Sequence, residues 1–199
     1  ICNFPGGGED SGLMVHDQVE TFFHEFGHLI HHLFGGDHLW VGVSGFNTEW
    51  DFVEAPSQML EEWAWSPEVL QRFARNKQGE VVPLALIDKM RRARDFGKGV
   101  WVAHQMFYAS VSLNYYSADP KTLDTTEAMK ALQEKYSPFG YVDDTFFQLS
   151  FGHLDGYSAI YYTYMWSLVI AKDLFSEFSA AGMLNSDVAG RYRDAVLAP

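Results

Sequence analysis

A mainly α-helical domain is the fold class that the sequence predicts, and three observations predict it. Val15, Val19, Phe22, Phe23, Phe26, Ile30, Leu33 and Phe34 fall at i, i+4, i+7, i+8, i+11, i+15, i+18 and i+19, the spacing of one face of a long helix. Glycines stand where such periodic stretches end, at Gly35-Gly36 and at Gly182. At 199 residues, 47% hydrophobic and 16% aromatic, the chain carries enough apolar side chain for one packed core. We therefore expect a single domain over residues 1–199, a helix bundle with little or no sheet.

Taken in order, the opening "ICNFPGGGEDSG" is glycine-rich and reads as a loop or irregular edge strand. The first helix runs from Val15 to Gly35, and on a helical wheel its Phe22/Phe26/Ile30 stripe is the expected core face. From Gly35 to Asn47 four glycines, Gly35, Gly36, Gly42 and Gly45, interrupt Trp40, Val41 and Val43, which suggests a loop with a short strand. A second helix is expected from the region of Thr48 to Asp51 through "VEAPSQMLEEWAW" to Ser66-Pro67, with Pro56 tolerated in an early turn or at a kink. A third covers about Pro83 to Asn114 and a fourth Thr125 to Tyr136. After a loop at "SPFGYVDDT", a last helix spans about Ser158 to Ala181.

Fourteen basic against 26 acidic residues leave a formal charge of −12, and without a basic stripe a nucleic-acid partner is not expected. No apolar run reaches the ~18 residues of a membrane span, so no membrane partner is expected either. Cys2, the single cysteine, cannot form an internal disulfide, which fits a reducing compartment and also a cysteine-poor secreted enzyme; a cytoplasmic location is the prior expectation. The chain opens at Ile1 with no secretory pattern, and we expect a fragment or a processed chain.

Chemistry concentrates in "TFFHEFGHLIHHLFGG", where His24, Glu25, His28, His31 and His32 crowd together. Side chains four apart on a helix share a face one turn apart, so His24 and His28 can offer ring nitrogens to one tetrahedral ion. Glu25, between them in sequence, projects to the side and can reach a water on that ion; this is the HExxH pattern. The competing reading is a solvated polar face. A third histidine ligand ten residues after His24 would fall on Phe34, so that arrangement fails, and His31 lies a further turn along and is expected to be a neighbour or exposed. A glutamate from the following segment is the other solution, and Glu49, Glu54, Glu61 and Glu62 are all available. Glu54 also has a structural reading, since Asp51-x-x-Glu54 looks like a capping box. Composition does not choose among the four.

"ETFFHEFGHLIHHLF", then "DFVEAPSQMLEEW", and later "FGHLDGYSAIYYTYMWS" resemble, in the same order, the motifs of the zinc oligopeptidase family of thimet oligopeptidase, neurolysin and bacterial oligopeptidase A or dipeptidyl carboxypeptidase. The resemblance implies a zincin-type (gluzincin) metallopeptidase catalytic core with one zinc ion per chain. It implies His24, His28 and Glu54 as zinc ligands and Glu25 as general base. It further implies His153, Tyr157 and Tyr164 as groups that hold the substrate and stabilise the transition state, with Tyr161 a weaker substrate-binding candidate. On spacing alone, Tyr157, Tyr161 and Tyr164 follow i, i+4, i+7 and read as core aromatics. The chain departs from the family pattern in loop length before Glu54, in "HLDGY" where one residue is missing, and at Trp50, where an arginine is common. Family members are also several times longer, with a helical domain that walls a deep channel.

The resemblance implies zinc-assisted hydrolysis of peptide bonds in short peptides, with Gln58, Glu61, Asp17 and Glu20 as candidates for fixing the histidine rings. The alternative is a non-catalytic zinc-stabilised domain, or a peptide-binding or oligomerising one that lacks the channel wall. Exposed aromatics such as Trp40, Phe46 and Trp50 make a homo-oligomer through apolar surface an expected partner mode.

Overall fold

The computed structural model describes residues 4–5 and 12–199, so Cys2 and most of the expected glycine-rich opening loop lie outside the described residues. In chain order the α-helices are α1 (His16–Phe34), α2 (Ala55–Glu61), α3 (Pro67–Phe73), α4 (Leu84–Ala93), α5 (Lys98–Ser117), α6 (Thr125–Tyr136), α7 (His153–Tyr157), α8 (Thr163–Ala181) and α9 (Ser186–Tyr192). Among the described residues extended pairing is limited to one isolated antiparallel bridge between Arg75 and Val81. The architecture is mainly α, as the sequence predicts. The backbone forms two compact units, one of residues 1–93 with 167–199 and one of residues 94–166.

In the first unit, Met59, Trp63, Val69, Ala171, Phe178 and Val188 form the buried core. Trp63 meets Phe178 edge-on at 4.9 Å, and its indole N–H donates to the Met183 carbonyl at 3.0 Å, so a large apolar body is buried with its one polar atom satisfied. Glu62, 7% exposed, is paired with the Lys172 ammonium, which offsets the cost of burying its charge.

How α1 packs corrects the reading of its faces. Its buried residues are Gly27 and His31, whereas Phe22 and Phe26 of the expected core stripe are 46% and 44% exposed. The face directed at α2 is His24, Gly27, His28 and His31, and beside it Phe23 packs against the core of this unit. The reason is steric: a Cβ built on Gly27 would stand 2.6 Å from the Ser57 Cα and 2.9 Å from the Pro56 carbonyl oxygen. Only glycine lets the two backbones approach this closely.

Other boundaries moved for identifiable reasons. The segment from Glu49 to Glu54 turns through Phe52 and Val53 amides bonded to the Glu49 carbonyl, and α2 begins only at Ala55, with Pro56 in its first turn where a missing N–H costs nothing. Its continuation Glu62–Trp65 is a 3-10 turn, and Ser66-Pro67 opens the separate α3. The expected short strand near Trp40 is a 3-10 turn at Val41–Val43. The expected third helix is two, α4 and α5, divided before Gly97, whose φ of +73° suits glycine. The last long helix starts at Thr163 rather than Ser158.

In the second unit the core is Phe107, Ala109 and Val111 of α5, Met129 of α6, and Phe151 and Tyr161. The Asp124 carboxylate caps α6 by accepting from the amides of Thr126 and Glu127, each at 3.0 Å.

Candidate metal centre

Close approach of α1 and α2 at Gly27 brings His24 and His28, one turn apart, over the start of α2. Glu54 is the residue that precedes α2, and its carbonyl accepts the Gln58 amide at 3.0 Å. Its carboxylate is 1% exposed, and the Ser57 hydroxyl donates to its Oε2 at 3.0 Å. The same Oε2 lies 3.1 Å from His24 Nε2 and 3.2 Å from His28 Nε2, with the two imidazole rings 4.9 Å apart and nearly perpendicular. Donor atoms of these three residues all lie within 4.8 Å of one another.

This donor set fits zinc. A tetrahedral zinc ion with bonds near 2.05 Å sets its ligand atoms about 3.3 Å apart, which is close to the separations between Glu54 and each histidine. Two imidazoles and one carboxylate are also a ligand set that leaves a fourth position open.

Electrostatics point the same way. Burial pushes the His24 pKa down, but hydrogen bonds to Glu54 and Glu61 and the charges of both carboxylates outweigh it and raise the pKa to about 10. Two carboxylates converging on one imidazole thus make a strongly cation-favouring spot. Glu61 Oε1 meets His24 Nδ1 at 2.7 Å, which turns Nε2 of the same ring towards Glu54. A carboxylate on the far nitrogen of a metal-binding imidazole fixes both its tautomer and its orientation.

Glu25, on the neighbouring position of α1, is exposed. Of the two expectations for His31, a neighbour of the ligands or an exposed residue, exposure does not hold: it is buried at 4%, and its ring sits edge-on to Phe52 at 6.4 Å. Of the candidates for fixing the histidine rings, Glu61 does so. Glu20 instead accepts from the Trp65 indole, and Asp17 accepts the Gln18 amide at the start of α1. Sequence reasoning missed Ser57 and Gly27; their signals were a serine three residues after Glu54, within hydrogen-bond reach of a carboxylate that precedes a helix, and a glycine inside an otherwise helix-favouring motif.

In the second unit the other predicted residues also come together. The His153 ring lies 5.7 Å from that of Tyr157, 5.2 Å from Tyr161 and 5.8 Å from Tyr164. Tyr164 is 5.3 Å from Tyr157 and 4.9 Å from Tyr161. His153 is exposed and Tyr157 and Tyr164 are half-buried, whereas Tyr161 is 7% exposed and its hydroxyl bonds to Gln105 at 3.3 Å. Tyr161 is thus a packing member of the cluster.

Comparison with known proteins adds independent information. The family described as Peptidase family M3 matches residues 1–199. The chain is 34% identical over its full length to a dipeptidyl carboxypeptidase of Salmonella typhimurium, covering 30% of that protein. It is 34% identical over 98% of its length to oligopeptidase A of Escherichia coli, again covering 30%, and 34% identical over its full length to saccharolysin of Saccharomyces cerevisiae, covering 29%. The chain thus spans less than a third of the length of these relatives.

Proposed function

Because the chain belongs to peptidase family M3, we propose that it is the catalytic core of a zinc metallopeptidase that hydrolyses peptide bonds in short peptides. The observation that carries the reading is the convergence of His24 Nε2 and His28 Nε2 on one buried oxygen of Glu54, at 3.1 and 3.2 Å. These three side chains would hold one zinc ion, which when bound acts as a Lewis acid and lowers the pKa of a water molecule.

Glu25, exposed on α1 between the two histidines, is the general base. It accepts the proton of the attacking water and returns it to the leaving amine, so no covalent enzyme intermediate is needed. Glu61 keeps His24 oriented, and Ser57 keeps Glu54 from rotating. Family resemblance assigns Tyr164 to the developing oxyanion and His153 and Tyr157 to holding the substrate, with Tyr161 supporting their rings. Loss of one oxyanion donor costs about 3 kcal/mol, roughly a hundredfold in rate.

Peptide substrates, the absence of a nucleic-acid or membrane role and a cytoplasmic location belong to the same proposal. So does self-association through apolar surface, supported by the 76% exposure of Trp40 and 97% exposure of Leu39. That surface also favours the alternative of a zinc-stabilised, non-catalytic binding domain. Cleavage of quenched short peptides by the parent and by Glu25→Gln separates the two. The peptidase reading expects cleavage in the parent, a loss of about a thousandfold or more in the variant, and equal bound zinc in both. A parent that binds zinc without cleaving overturns the enzyme, and cleavage that survives Glu25→Gln overturns the mechanism.

A further inference from the structure

We propose that Ser112 of α5 is a positioning residue for the aromatic cluster of His153, Tyr157, Tyr161 and Tyr164, an inference that rests on reading that cluster as the substrate-holding group. The starting observation is Ser158, which joins Tyr157 to the rest of the cluster with φ +47° and ψ −116°. It occupies the first central position of a turn closed by the Ile160 amide on the Tyr157 carbonyl at 2.7 Å. Those angles are close to the type II′ values at that position, where glycine is the usual residue because a Cβ is strained. A serine there persists only if surrounding contacts hold it.

Ser112 provides that hold. It is 1% exposed, its hydroxyl donates to the Ser158 carbonyl, and its oxygen accepts the Tyr161 amide at 3.3 Å. One buried hydroxyl therefore ties both sides of the turn to α5. A second tether seven residues earlier on the same helix acts on the ring, where Tyr161 bonds to Gln105. Tyr161 in turn stands edge-on to His153, at 83° between planes, and 4.9 Å from Tyr164. Tyr157 directly precedes the strained residue, so any relaxation of φ at Ser158 swings Tyr157 relative to Tyr161 and Tyr164. The chemistry of the hydroxyl is specific to this task, because it must donate and accept at once. Alanine at 112 removes the donor to the Ser158 carbonyl and the acceptor of the Tyr161 amide, and frees the turn to relax.

The test compares the intact protein with Ser112→Ala and with Ser112→Ala/Ser158→Gly. Glycine at 158 adopts the same backbone angles without strain, so it restores the turn without the clamp. Each protein is assayed on a quenched peptide, and each is labelled with 3-fluorotyrosine for fluorine NMR, with the Tyr157 and Tyr164 signals assigned through their phenylalanine variants. Ser112→Ala is expected to lower kcat/KM about ten- to a hundredfold, to shift or broaden the Tyr157 signal, and to leave bound zinc unchanged. The double variant is expected to recover the signal and most of the rate. Unchanged rate and spectra in Ser112→Ala overturn the proposal, as does a defect that Ser158→Gly fails to repair, since that marks a general packing loss. A parent that cleaves no peptide overturns the peptidase reading instead, and the fluorine spectra still decide whether Ser112 sets the rings.

Discussion

At the scale of single residues, two side chains beside the ligands carry separable consequences. Glu61 holds His24 Nδ1 at 2.7 Å and so fixes which nitrogen faces Glu54. Partners of this kind are worth about 10- to 100-fold in metal affinity. Glu61→Gln is therefore expected to weaken zinc binding by that factor while leaving the fold intact, as read by competition with a chelator. His31 acts through protonation. Burial pushes its pKa below 6.5, and the neighbouring His28 and His32 push it further down. The unfolded chain then binds this proton more tightly than the folded one, so its contribution to stability is intact above pH 6.5 and lost as pH falls from there towards the folded pKa. Urea unfolding at pH 7 and pH 5 is expected to show a smaller loss of stability in His31→Gln than in the parent. An equal loss in both would contradict it.

At the scale of elements, the pairing of α1 with α2 builds the site, and Gly27 is where it is decided. A methyl group at 27 meets the Ser57 Cα at 2.6 Å, and backbone cannot move aside as a flexible side chain can. Gly27→Ala is expected to cost about 1–3 kcal/mol, read as a lowered thermal midpoint, and to weaken zinc binding because Glu54 is carried away from the histidines. Periodicity alone misjudged this face. It listed the apolar positions of α1 but could not say which of them pack: Phe23 packs against the core while Phe22 and Phe26 do not, and the face towards α2 is a glycine and three histidines whose value lies in close approach and hydrogen bonding. By contrast α6 was legible at both ends: the expected Thr125 to Tyr136 is the helix observed, and the Asp124 carboxylate caps its start. The seven-residue helices α3 and α9 were not foreseen, being too short to show a period; the Asn185 side chain, which accepts the amides of Asp187 and Val188, is the signal that marks the start of α9.

At the scale of the whole molecule, the chain joins an acidic, mainly helical polypeptide to motifs that are far apart in sequence. Glu54 lies 30 residues beyond His24, and the glutamate among four candidates could be chosen from the sequence only by family resemblance, since spacing fits several. The geometry gives a physical reason for the same choice: Glu54 is buried between the imidazoles, Glu61 sits behind one of them and Glu62 pairs with Lys172. Because the chain spans about 30% of its relatives' length, the claim that depends least on the remainder is metal binding itself. The decisive measurement is zinc content per chain after exhaustive dialysis, in the parent and in His28→Ala/Glu54→Ala. One zinc per parent chain and essentially none in the double variant is the predicted result; a zinc-free parent, or a double variant that keeps its zinc, would contradict the account.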